Sequence, residues 1–406
     1  MRYDKKGAVM PKLRFPEFRE EWIVEKLSDV ADFVNERISI DRIGLNDYVS
    51  TENMLPDFGG VTTASRLPAT GSATRFRPND VLVSNIRPYL KKVWVSDRDG
   101  GASNDVIVIR AKPTILGDFL PFALKTHSFI DHVMKGAKGV KMPRGDIQLM
   151  REYPVSHPSH SEQRRIAECL TSLDEVIAAQ GQKVKALKDQ KKGLLQQLFP
   201  REGQTVPCLR FPEFRNHLAW EEKPASQLFA NRTQQGEEGL PIYSVTMTNG
   251  LVKRSSLERS VDDIAEADGN KTSFQNDIVY NMMRMWQGAS GVAVEDCMVS
   301  PAYVVLAPQA GVHSQFFAFL FKLPKYLRVL TSHSQGLTKD RLRLYYKDFA
   351  CILLPSPHIR EQEAIANLLA SIDRLIAVEI AQLEALKTHK TGLTQHLFPS
   401  PEVVAA

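Results

Sequence analysis

The chain contains two copies of one half-length sequence. The heptapeptide LRFPEFR occupies residues 13–19 and recurs letter for letter at residues 209–215, an offset of 196. A second pair of matching segments, EQRRIAECLTSLDEVIAAQ from Glu162 and EQEAIANLLASIDRLIAVE from Glu361, repeats at an offset of 199, and each copy ends in LFP. Self-similarity at a long fixed interval is the signature of duplicated structural units. A chain of 406 residues is also too long for one compact core, so two domains are expected.

The sequence between the matching ends has diverged. Two middle stretches, about residues 25–155 and 223–354, agree only in outline, as FRPNDVLVSNIRP from Phe76 does with FQNDIVYNMMR from Phe274. The duplication therefore predicts one architecture that carries two different surfaces.

Short apolar runs in each middle stretch predict strands, and longer runs predict helices. The strand candidates are DVLVSN near residues 80–85, DVIVIR near residues 105–110, and DIVYNM and AYVVLA in the second stretch. The helical candidates are FLPFALKTHSFIDHVM after Asp118 and SQFFAFLFKLPKYLRVL after His313. These patterns predict two α/β domains of roughly 130 to 150 residues each.

The duplicated segment carries a heptad pattern, with apolar residues at alternating steps of four and three. In the first copy these positions are Ile166, Leu170, Leu173, Ile177, Gln180, Val184, Leu187, Lys191, Leu194 and Leu198. In the second copy they are Ile365, Leu369, Ile372, Ile376, Glu379, Leu383, Leu386, Lys390, Leu393 and Leu397. Roughly 33 residues at 1.5 Å each predict two rods of about 50 Å that end at the LFP prolines and pair antiparallel as a coiled coil.

Polar residues interrupt the heptad pattern at equivalent places in both copies. A polar residue in such a seam costs stability but restricts register, so Gln180, Lys191, Glu379 and Lys390 are predicted to select how the rods pair. The alternative is that each rod packs on its own domain and these residues are solvated. The residues predicted to pair the helices are Leu170, Ile177, Gln180, Leu187, Leu369, Ile376, Glu379 and Leu386.

Basic residues cluster where the predicted strands and helices end. Residues 75–95 hold five basic residues against one aspartate, residues 132–151 again five against one, and residues 325–347 six against one. An isolated run of this kind is usually a solvated face, but equivalent patches in two diverged copies favour contact with DNA phosphates and base edges. The candidate DNA-contacting residues are Arg75, Arg77, Asn85, Arg87, Tyr89, Lys91, Lys92, Lys138, Lys141, Arg144, Asn281, Arg284, Lys339, Arg341 and Arg343. The alternative for NMMRMW at residues 281–286 is an apolar strand end with Trp286 in the core, where Trp94 is also expected.

The chain lacks the common motifs of nucleotide, methyl-donor and hydrolase sites. It has no GxGxxG opening a helix, no GxxxxGK[ST], no [DNS]PP[YFW], no HExxH and no GxSxG. The four cysteines form no CxxC pair, and His157, His160 and His358 precede the long helices as expected turn and cap residues, so we expect no metal site. A carboxylate nuclease site is the pattern hardest to exclude, because Glu221-x-Lys223 matches the tail of a PD-(D/E)xK motif.

The composition and net charge of the chain are typical of soluble globular proteins. Hydrophobic residues make up 43% and charged residues 24%, and the net charge of +5 is too small to argue for nucleic-acid binding by itself. The N-terminal segment MRYDKKGAVMPKL lacks the apolar stretch of a signal peptide, and no window approaches about 18 uncharged apolar residues. The expected compartment is therefore the cytoplasm, with no membrane contact.

Three patterns together resemble the specificity subunit of type I restriction-modification systems over essentially the whole chain. They are the LRFPEF arm before each middle stretch, the proline-then-EQ helix start (HPSHSEQRRIA from His157, SPHIREQEAIA from Ser356) and the KxGLLQQLFP-type ending. As a set they are highly specific, although each alone is weak. The resemblance divides the chain into an arm with a first target-recognition domain (1–160), a central helix (161–200), a second arm and domain (201–357) and a C-terminal helix (358–406).

The resemblance also implies a function without chemistry. Each recognition domain would read one half of an asymmetric, split DNA target, and the paired helices would set the gap between the halves. Such a subunit has no catalytic centre and no cofactor of its own. It binds double-stranded DNA and two methyltransferase subunits, which bring S-adenosylmethionine, and a translocase-nuclease subunit joins them for ATP- and magnesium-dependent cleavage. Base-contacting residues vary freely in this family, so the candidate DNA contacts depend on the charge argument alone.

Two other functions remain open at this point. The chain could be a coiled-coil adaptor whose α/β domains bind proteins, and DNA affinity that weakens steeply with salt would argue against it. It could also be a self-contained nuclease, which requires metal-dependent cutting by the purified chain alone.

Overall fold

The computed structural model describes residues 10–139, 141–257, 269–338 and 341–399. These residues divide into two compact units. The first comprises the described parts of Met1–Gly181 and Ala381–Ala406, and the second comprises those of Gln182–Ile380. Each unit therefore contains one middle stretch together with segments of both long helices.

The first half of the chain forms ten strands and five helices within its described residues. The strands are β1 (Ile23–Lys26), β2 (Ala31–Phe33), β3 (Arg37–Ser39), β4 (Tyr48–Val49), β5 (Ser72–Phe76), β6 (Val81–Ser84), β7 (Val93–Val95), β8 (Gly100–Ala102), β9 (Val106–Ala111) and β10 (Pro154–His157). The helices are α1 (Leu27–Val30), α2 (Leu120–Leu124), α3 (His127–Lys135), α4 (Ile147–Arg151) and the long α5 (His160–Leu198).

The second half repeats this order. Its strands are β11 (Glu221–Pro224), β12 (Phe229–Arg232), β13 (Ile242–Thr246), β14 (Gly250–Lys253), β15 (Lys271–Ser273), β16 (Ile278–Asn281), β17 (Ser290–Val292), β18 (Cys297–Val299), β19 (Tyr303–Pro308) and β20 (Leu353–Ser356). Its helices are α6 (Ala225–Leu228), α7 (Ser314–Leu320), α8 (Pro324–Ser332), α9 (Tyr346–Phe349) and the long α10 (Ile359–Leu397).

Each unit holds two four-stranded sheets and one two-stranded ribbon among its described residues. The orders in the first unit are β2-β9-β6-β7, β3-β5-β8-β4 and β1-β10, and those in the second are β12-β19-β16-β17, β14-β13-β18-β15 and β11-β20. The four apolar runs predicted as strands form the central pairs of the first sheet in each unit, β6 with β9 and β16 with β19. The α/β fold class predicted from the sequence is confirmed.

The second sheet shows where the two copies diverged. Both units share a three-stranded centre, in which β8 or β18 pairs antiparallel with one neighbour and parallel with the other. The first unit adds β3 beside β5, whereas the second adds β14 on the opposite edge, beside β13. The same sheet therefore presents a different edge in each unit.

Both predicted domain helices are broken into two. Residues 119–134 hold α2 and α3, because the Thr126 side chain accepts a hydrogen bond from the Phe129 N–H and caps a new helix start. Residues 314–330 hold α7 and α8, because Pro324 cannot continue a helix but suits the first helical turn. The sequence periodicity alone did not reveal these breaks.

The far end of the other long helix completes the apolar core of each unit. In the first unit, Leu397 and Phe398 of the α10 end pack in one cluster with Ile166 and Leu170 of α5. In the second, Leu198 and Phe199 of the α5 end pack with Leu369 of α10. The repeated LFP motif is thus a core motif as well as a helix stop.

Every predicted heptad position is buried or half-buried. Segments of α5 and α10 run antiparallel within each unit. In the second unit Lys191 pairs with Asp373 at 2.5 Å and Lys183 with Glu379 at 2.7 Å. In the first unit Lys390 pairs with Asp174. The lysines and Glu379 of the seam are therefore ion-paired and not solvated, which contradicts that part of the alternative prediction. The first turns of α5 and α10 also pack on their own domains.

Candidate nucleic-acid interface

Two loops of the first unit are joined by backbone hydrogen bonds into one surface. Residues 85–92 follow β6, and residues 136–146 join α3 to α4, with Val140 outside the described residues. The Arg87 N–H donates to the Pro143 carbonyl at 2.8 Å and the Gly145 N–H to the Asn85 carbonyl at 3.0 Å. We call residues 85–92 and 136–146 the first loop pair. Two of the basic patches predicted from the sequence therefore meet here.

Left-handed backbone shapes the first of these loops. Arg87 and Lys91 have φ values of 52° and 53° and flank a single 3-10 turn at Pro88–Leu90. Non-glycine residues rarely adopt this conformation, and it costs free energy that the surrounding contacts must offset. The turn leaves Tyr89 49% exposed.

The first loop pair exposes cations around an apolar tip. Lys138, Lys141 and Arg144 are exposed, and Met142 between them is 52% exposed. Arg144 pairs with Asp105 at 3.0 Å, an exposed contact of small energetic value. These three cations can reach a phosphate without leaving a buried site.

The other predicted contacts of this loop are buried or bound within the protein. Asn85 is only 9% exposed, Lys91 lies 3.6 Å from Asp57, and the Lys92 ammonium donates to the Thr51 carbonyl at 2.7 Å. Burial and the neighbouring Arg87 lower the pKa of Lys92. These side chains are therefore less accessible to DNA than the exposed side chains of the same loop pair.

The second unit builds an equivalent surface from different side chains. The Leu344 N–H donates to the Met282 carbonyl at 2.9 Å, and Gln335 and Arg343 exchange two backbone hydrogen bonds of 2.8 Å. This joins residues 281–289 to residues 334–344, with 339 and 340 outside the described part of the chain; together we call them the second loop pair. Lys138 and Arg144 make the same two-way backbone exchange, at 2.9 Å, in the first unit.

The second loop pair also combines exposed cations with apolar tips. Arg284, Arg341 and Arg343 are exposed, while Leu337 is 100% and Met283 39% exposed. The predicted contact Lys339 lies outside the described residues. The predicted contact Asn281 is half-buried, and its side-chain oxygen accepts the Met283 N–H at 3.0 Å, which shapes the loop.

Arg75 and Arg77 belong to a different surface. Arg75 on β5 pairs with Glu36 at 3.1 Å, and Arg77 pairs with the same carboxylate at 3.0 Å. Desolvation acts to raise the pKa of Glu36, but Arg77 and then Arg75 outweigh it and lower that pKa. These two predicted contacts are thus partly neutralised, as Arg144 of the first loop pair is by Asp105.

The two tryptophans near the loops are half-buried. Trp94 packs edge-on against Phe76 at 5.9 Å and carries Arg98 over its ring at 5.1 Å. Trp286 donates its indole N–H to the Met283 carbonyl at 3.1 Å, and its neighbour Met285 is the fully buried residue. The alternative prediction placed Trp286 in the core. Trp286 is only half-buried, and Met285 occupies the core instead.

A buried arginine–glutamate clasp, not predicted from the sequence, occurs in both units. Arg14 of the first LRFPEFR arm binds Glu162 of α5 through Nε at 2.8 Å and Nη2 at 2.7 Å. Arg210 of the second arm binds Glu361 of α10 in the same bidentate way, at 2.7 and 2.8 Å. Both carboxylate side chains are 1% exposed. The sequence did contain a signal for this clasp, because the arginine of the LRFPEFR motif and the glutamate of the EQ pair recur in both copies.

The glutamine of each EQ pair makes a second set of hydrogen bonds that recurs in both units. Gln163 accepts the Leu116 N–H at 2.8 Å and donates to the Pro158 carbonyl at 2.9 Å. Gln362 accepts the His313 N–H at 2.9 Å and donates to the Pro357 carbonyl at 2.8 Å. Each glutamine thereby ties a long helix to the loop before the first domain helix, which orients the domain that carries the loop pair.

The remaining motifs from the sequence have local roles. His157 contacts Glu25 at 2.8 Å, and the His358 ring accepts the Arg360 N–H at 3.3 Å at the start of α10. Glu221 and Lys223 pair with each other at 3.1 Å. Among the described residues, no group of three or more His, Cys, Asp or Glu side chains is arranged to hold a metal ion. The helices of the described chain include none long and apolar enough to cross a membrane.

Comparisons with known proteins agree with one another. Residues 19–189 match the family described as "Type I restriction modification DNA specificity domain". The chain is 21% identical over 418 residues to the type I restriction enzyme MjaVIII specificity subunit of Methanocaldococcus jannaschii, covering 96% of this chain and 94% of that protein. It is 26% identical over 166 residues to the EcoDI specificity subunit of Escherichia coli, covering 39% of this chain and 36% of that protein.

A solved structure shares the fold. The type I restriction-modification S subunit from M. genitalium superposes with a TM-score of 0.60 at 16% identity, covering 96% of this chain and 99% of that one. A structure described under the assembly and conformational transition of the type I restriction-modification system gives a TM-score of 0.55 at 18% identity, covering 93% of this chain and 97% of that one.

Proposed function

The chain belongs to the family of type I restriction-modification specificity subunits, and from that premise we propose that it reads a split DNA target with its two loop pairs. The observation that carries the proposal is the repetition of one loop-pair architecture with different exposed side chains. The first unit exposes Lys138, Lys141, Met142 and Arg144 in one loop, whereas the second exposes Leu337, Arg341 and Arg343. Different side chains at equivalent positions fit two different half-sites.

The chain acts through recognition and carries no catalytic centre. Exposed lysines and arginines bind phosphates and set the position of a domain on DNA, while base edges supply the sequence information. Two domains add their discrimination, at roughly 1 to 3 kcal/mol per mismatched base pair. Because its ligand is DNA, we expect the protein to act in the cytoplasm.

The specificity subunits of this family assemble with other subunits and with DNA. We propose that this chain binds two methyltransferase subunits, which carry S-adenosylmethionine, and a translocase-nuclease subunit, which uses ATP and magnesium. The chain then directs adenine methylation and cleavage without binding these cofactors itself.

Mapping adenine methylation tests the proposal directly. The chain is co-expressed with its cognate methyltransferase subunit in a host without other adenine methylation, and the modified sites are read genome-wide. A two-part motif with a fixed gap, absent when this chain is omitted, is the expected result. No new methylation despite a stable complex would refute the proposal and favour a protein-binding adaptor.

Exchange of one domain separates the two half-sites. Replacing residues 223–354 by those of another family member should change one half of the motif and leave the other half and the gap unchanged. A change in both halves would contradict the assignment of one half-site to each unit.

The paired segments of α5 and α10 are proposed to set the gap. Deleting residues 178–184 from α5 and 377–383 from α10 removes one heptad from each and keeps the register of the seam. The deletion also retains the residues of the Asp174–Lys390 and Lys191–Asp373 ion pairs. The permitted gap should change while both half-sites stay the same. An unchanged gap would refute the proposal that the paired helices set it.

A further inference from the structure

The first unit contains a basic cleft of about 1310 Å³ that the predicted DNA contacts do not explain. Its walls come from α3, from the residues around β10 and from the α5 and α10 segments of this unit. Six lysines line it against three aspartates, Asp57, Asp131 and Asp174, so the lining carries an excess of three positive charges. The lysines are Lys12, Lys91, Lys125, Lys135, Lys387 and Lys390.

One half-buried lysine of the cleft has no ion-pair partner of its own among the described residues. Lys390 pairs with Asp174 and lies 5.6 Å over the Phe122 ring. Lys125, at the end of α2, is half-buried, and no carboxylate of the described residues forms an ion pair with it. Burial and then Lys390 lower the pKa of Lys125, and Asp174 only partly opposes them. Lys125 and Lys390 therefore share Asp174 at a partly buried position.

The same arrangement recurs in the second unit. Lys191 pairs with Asp373 at 2.5 Å and lies 5.0 Å over the Phe319 ring. Lys322, which follows α7 closely as Lys125 follows α2, is the second cation, and burial and then Lys191 lower its pKa. Two lysines, one aspartate and one phenylalanine thus occupy equivalent positions in two domains whose outer surfaces have diverged.

The cleft is continuous with the candidate interface. Lys91 belongs to the first loop pair, and Lys135 ends α3 directly before residues 136–146. The same lining includes Lys387 and Lys390 of α10, and Lys387 also pairs with Glu384 at 2.8 Å in an exposed contact. Basic residues of the first loop pair, of α3 and of α10 therefore line one cleft.

We propose that this cleft binds the phosphate backbone of the DNA next to the half-site, with Lys125 and Lys387 as contacts that read no sequence. The proposal rests on the proposed function, because the loop pair must bring DNA to the mouth of the cleft. A phosphate supplies the negative charge that the Lys125–Lys390–Asp174 cluster lacks. Contacts of this kind strengthen binding to every sequence equally.

The test measures DNA affinity of the full chain against salt concentration by fluorescence anisotropy. The two probes are a duplex with the target found by methylation mapping and a duplex with both half-sites scrambled. Lys125→Met and Lys387→Gln should each reduce the slope of log affinity against log salt by about 0.9 for every phosphate that the variant no longer binds. Both duplexes should weaken by the same factor, so the ratio of the two affinities should stay unchanged.

Two controls separate this role from a structural one. Lys192→Gln removes one exposed charge on α5 outside the cleft and should leave the slope unchanged. Lys125→Met keeps the aliphatic stem and removes a half-buried, uncompensated charge, so its melting temperature should not fall.

The results distinguish failure of the cleft proposal from failure of the proposed function. An unchanged salt slope in Lys125→Met and Lys387→Gln overturns the cleft proposal, even if the wild type still prefers the target duplex. If these variants keep their DNA affinity but no longer bind the methyltransferase subunit, the cleft takes an acidic protein surface and the proposal is again wrong. A wild type that binds both duplexes equally would refute the proposed function, while a reduced slope in the variants would still support phosphate binding.

Discussion

Replacing Phe398 by alanine should loosen the first unit, although this residue lies at the other end of the chain. Phe398 is only 9% exposed, and its ring lies 5.3 Å from Phe119 and 6.3 Å from Trp22. Phe199 has the same environment in the second unit, 5.1 Å from Phe316 and 6.2 Å from Trp220. The two phenylalanines are therefore matched probes of two different cores.

The expected loss follows from what the ring touches. Truncating a buried phenylalanine to alanine costs about 3–5 kcal/mol, and an aromatic pair contributes about 0.5–1.5 kcal/mol beyond its buried area. Phe398 packs against two such rings, so we expect the free energy of unfolding of the first unit to fall by about 3–5 kcal/mol. For a unit of this size each kcal/mol lowers the melting temperature by roughly 2–4 °C.

Hydrogen exchange read by mass spectrometry locates the loss. In Phe398→Ala, amide protection should fall in β6 and β9 and stay unchanged in β16 and β19. Phe199→Ala should give the opposite pattern. Leu375→Ala, on a side chain that is 44% exposed, is the control and should change the free energy of unfolding by about 0.5 kcal/mol or less. If Phe398→Ala reduced protection in the second unit, or in neither, the assignment of the α10 end to the first core would be wrong.

Three further predictions test polar groups within the two units. Arg210→Met strands the buried Glu361 carboxylate and should cost about 3–5 kcal/mol in urea unfolding, and adding Glu361→Gln should recover part of this loss. Lys191→Met and Asp373→Leu should show a coupling energy of about 0.5–3 kcal/mol in a double-mutant cycle, and additive single effects would contradict the ion pair. Burial raises the pKa of Tyr153 to about 12, so above about pH 10 the folded state keeps a proton that the unfolded state releases, and stability falls as pH rises toward the folded pKa. Tyr153→Phe should remove this part of the alkaline loss in urea midpoints measured at rising pH, with no matching effect near neutrality.

Periodic features could be predicted from the sequence. The heptad positions fall on the buried or half-buried side of α5 and α10, because one period of apolar residues decides which helix face is covered. The apolar runs at β6, β9, β16 and β19 also form strands as predicted. Each of these predictions depends on residues close together in the sequence.

Contacts between distant residues could not be predicted in this way. Arg75 and Arg77 pair with Glu36, and Asn85 is buried, so the composition of a basic stretch did not tell which of its side chains are ion-paired or buried. The break between α2 and α3 had a local signal in Thr126, but an apolar run on both sides of it obscured the helix start. The adjacency of residues 85–92 and 136–146 depends on backbone hydrogen bonds that the sequence does not record.

The junction between a helix end and an arm occurs twice, and only one copy has a short covalent link. In the second unit the Leu209 N–H donates to the Gln197 carbonyl at 2.9 Å, and about ten residues of chain join the two. In the first unit the Leu13 N–H donates to the His396 carbonyl at 3.0 Å, although these residues come from opposite halves of the chain. Since the same hydrogen bond, the same arginine–glutamate clasp and the same aromatic packing form with and without the link, these contacts rather than the peptide connection hold the junction together. This explains why the arm, the EQ pair and the LFP end repeat so closely: each must fit the other two, whereas the exposed side chains of the loop pairs take no part in these contacts.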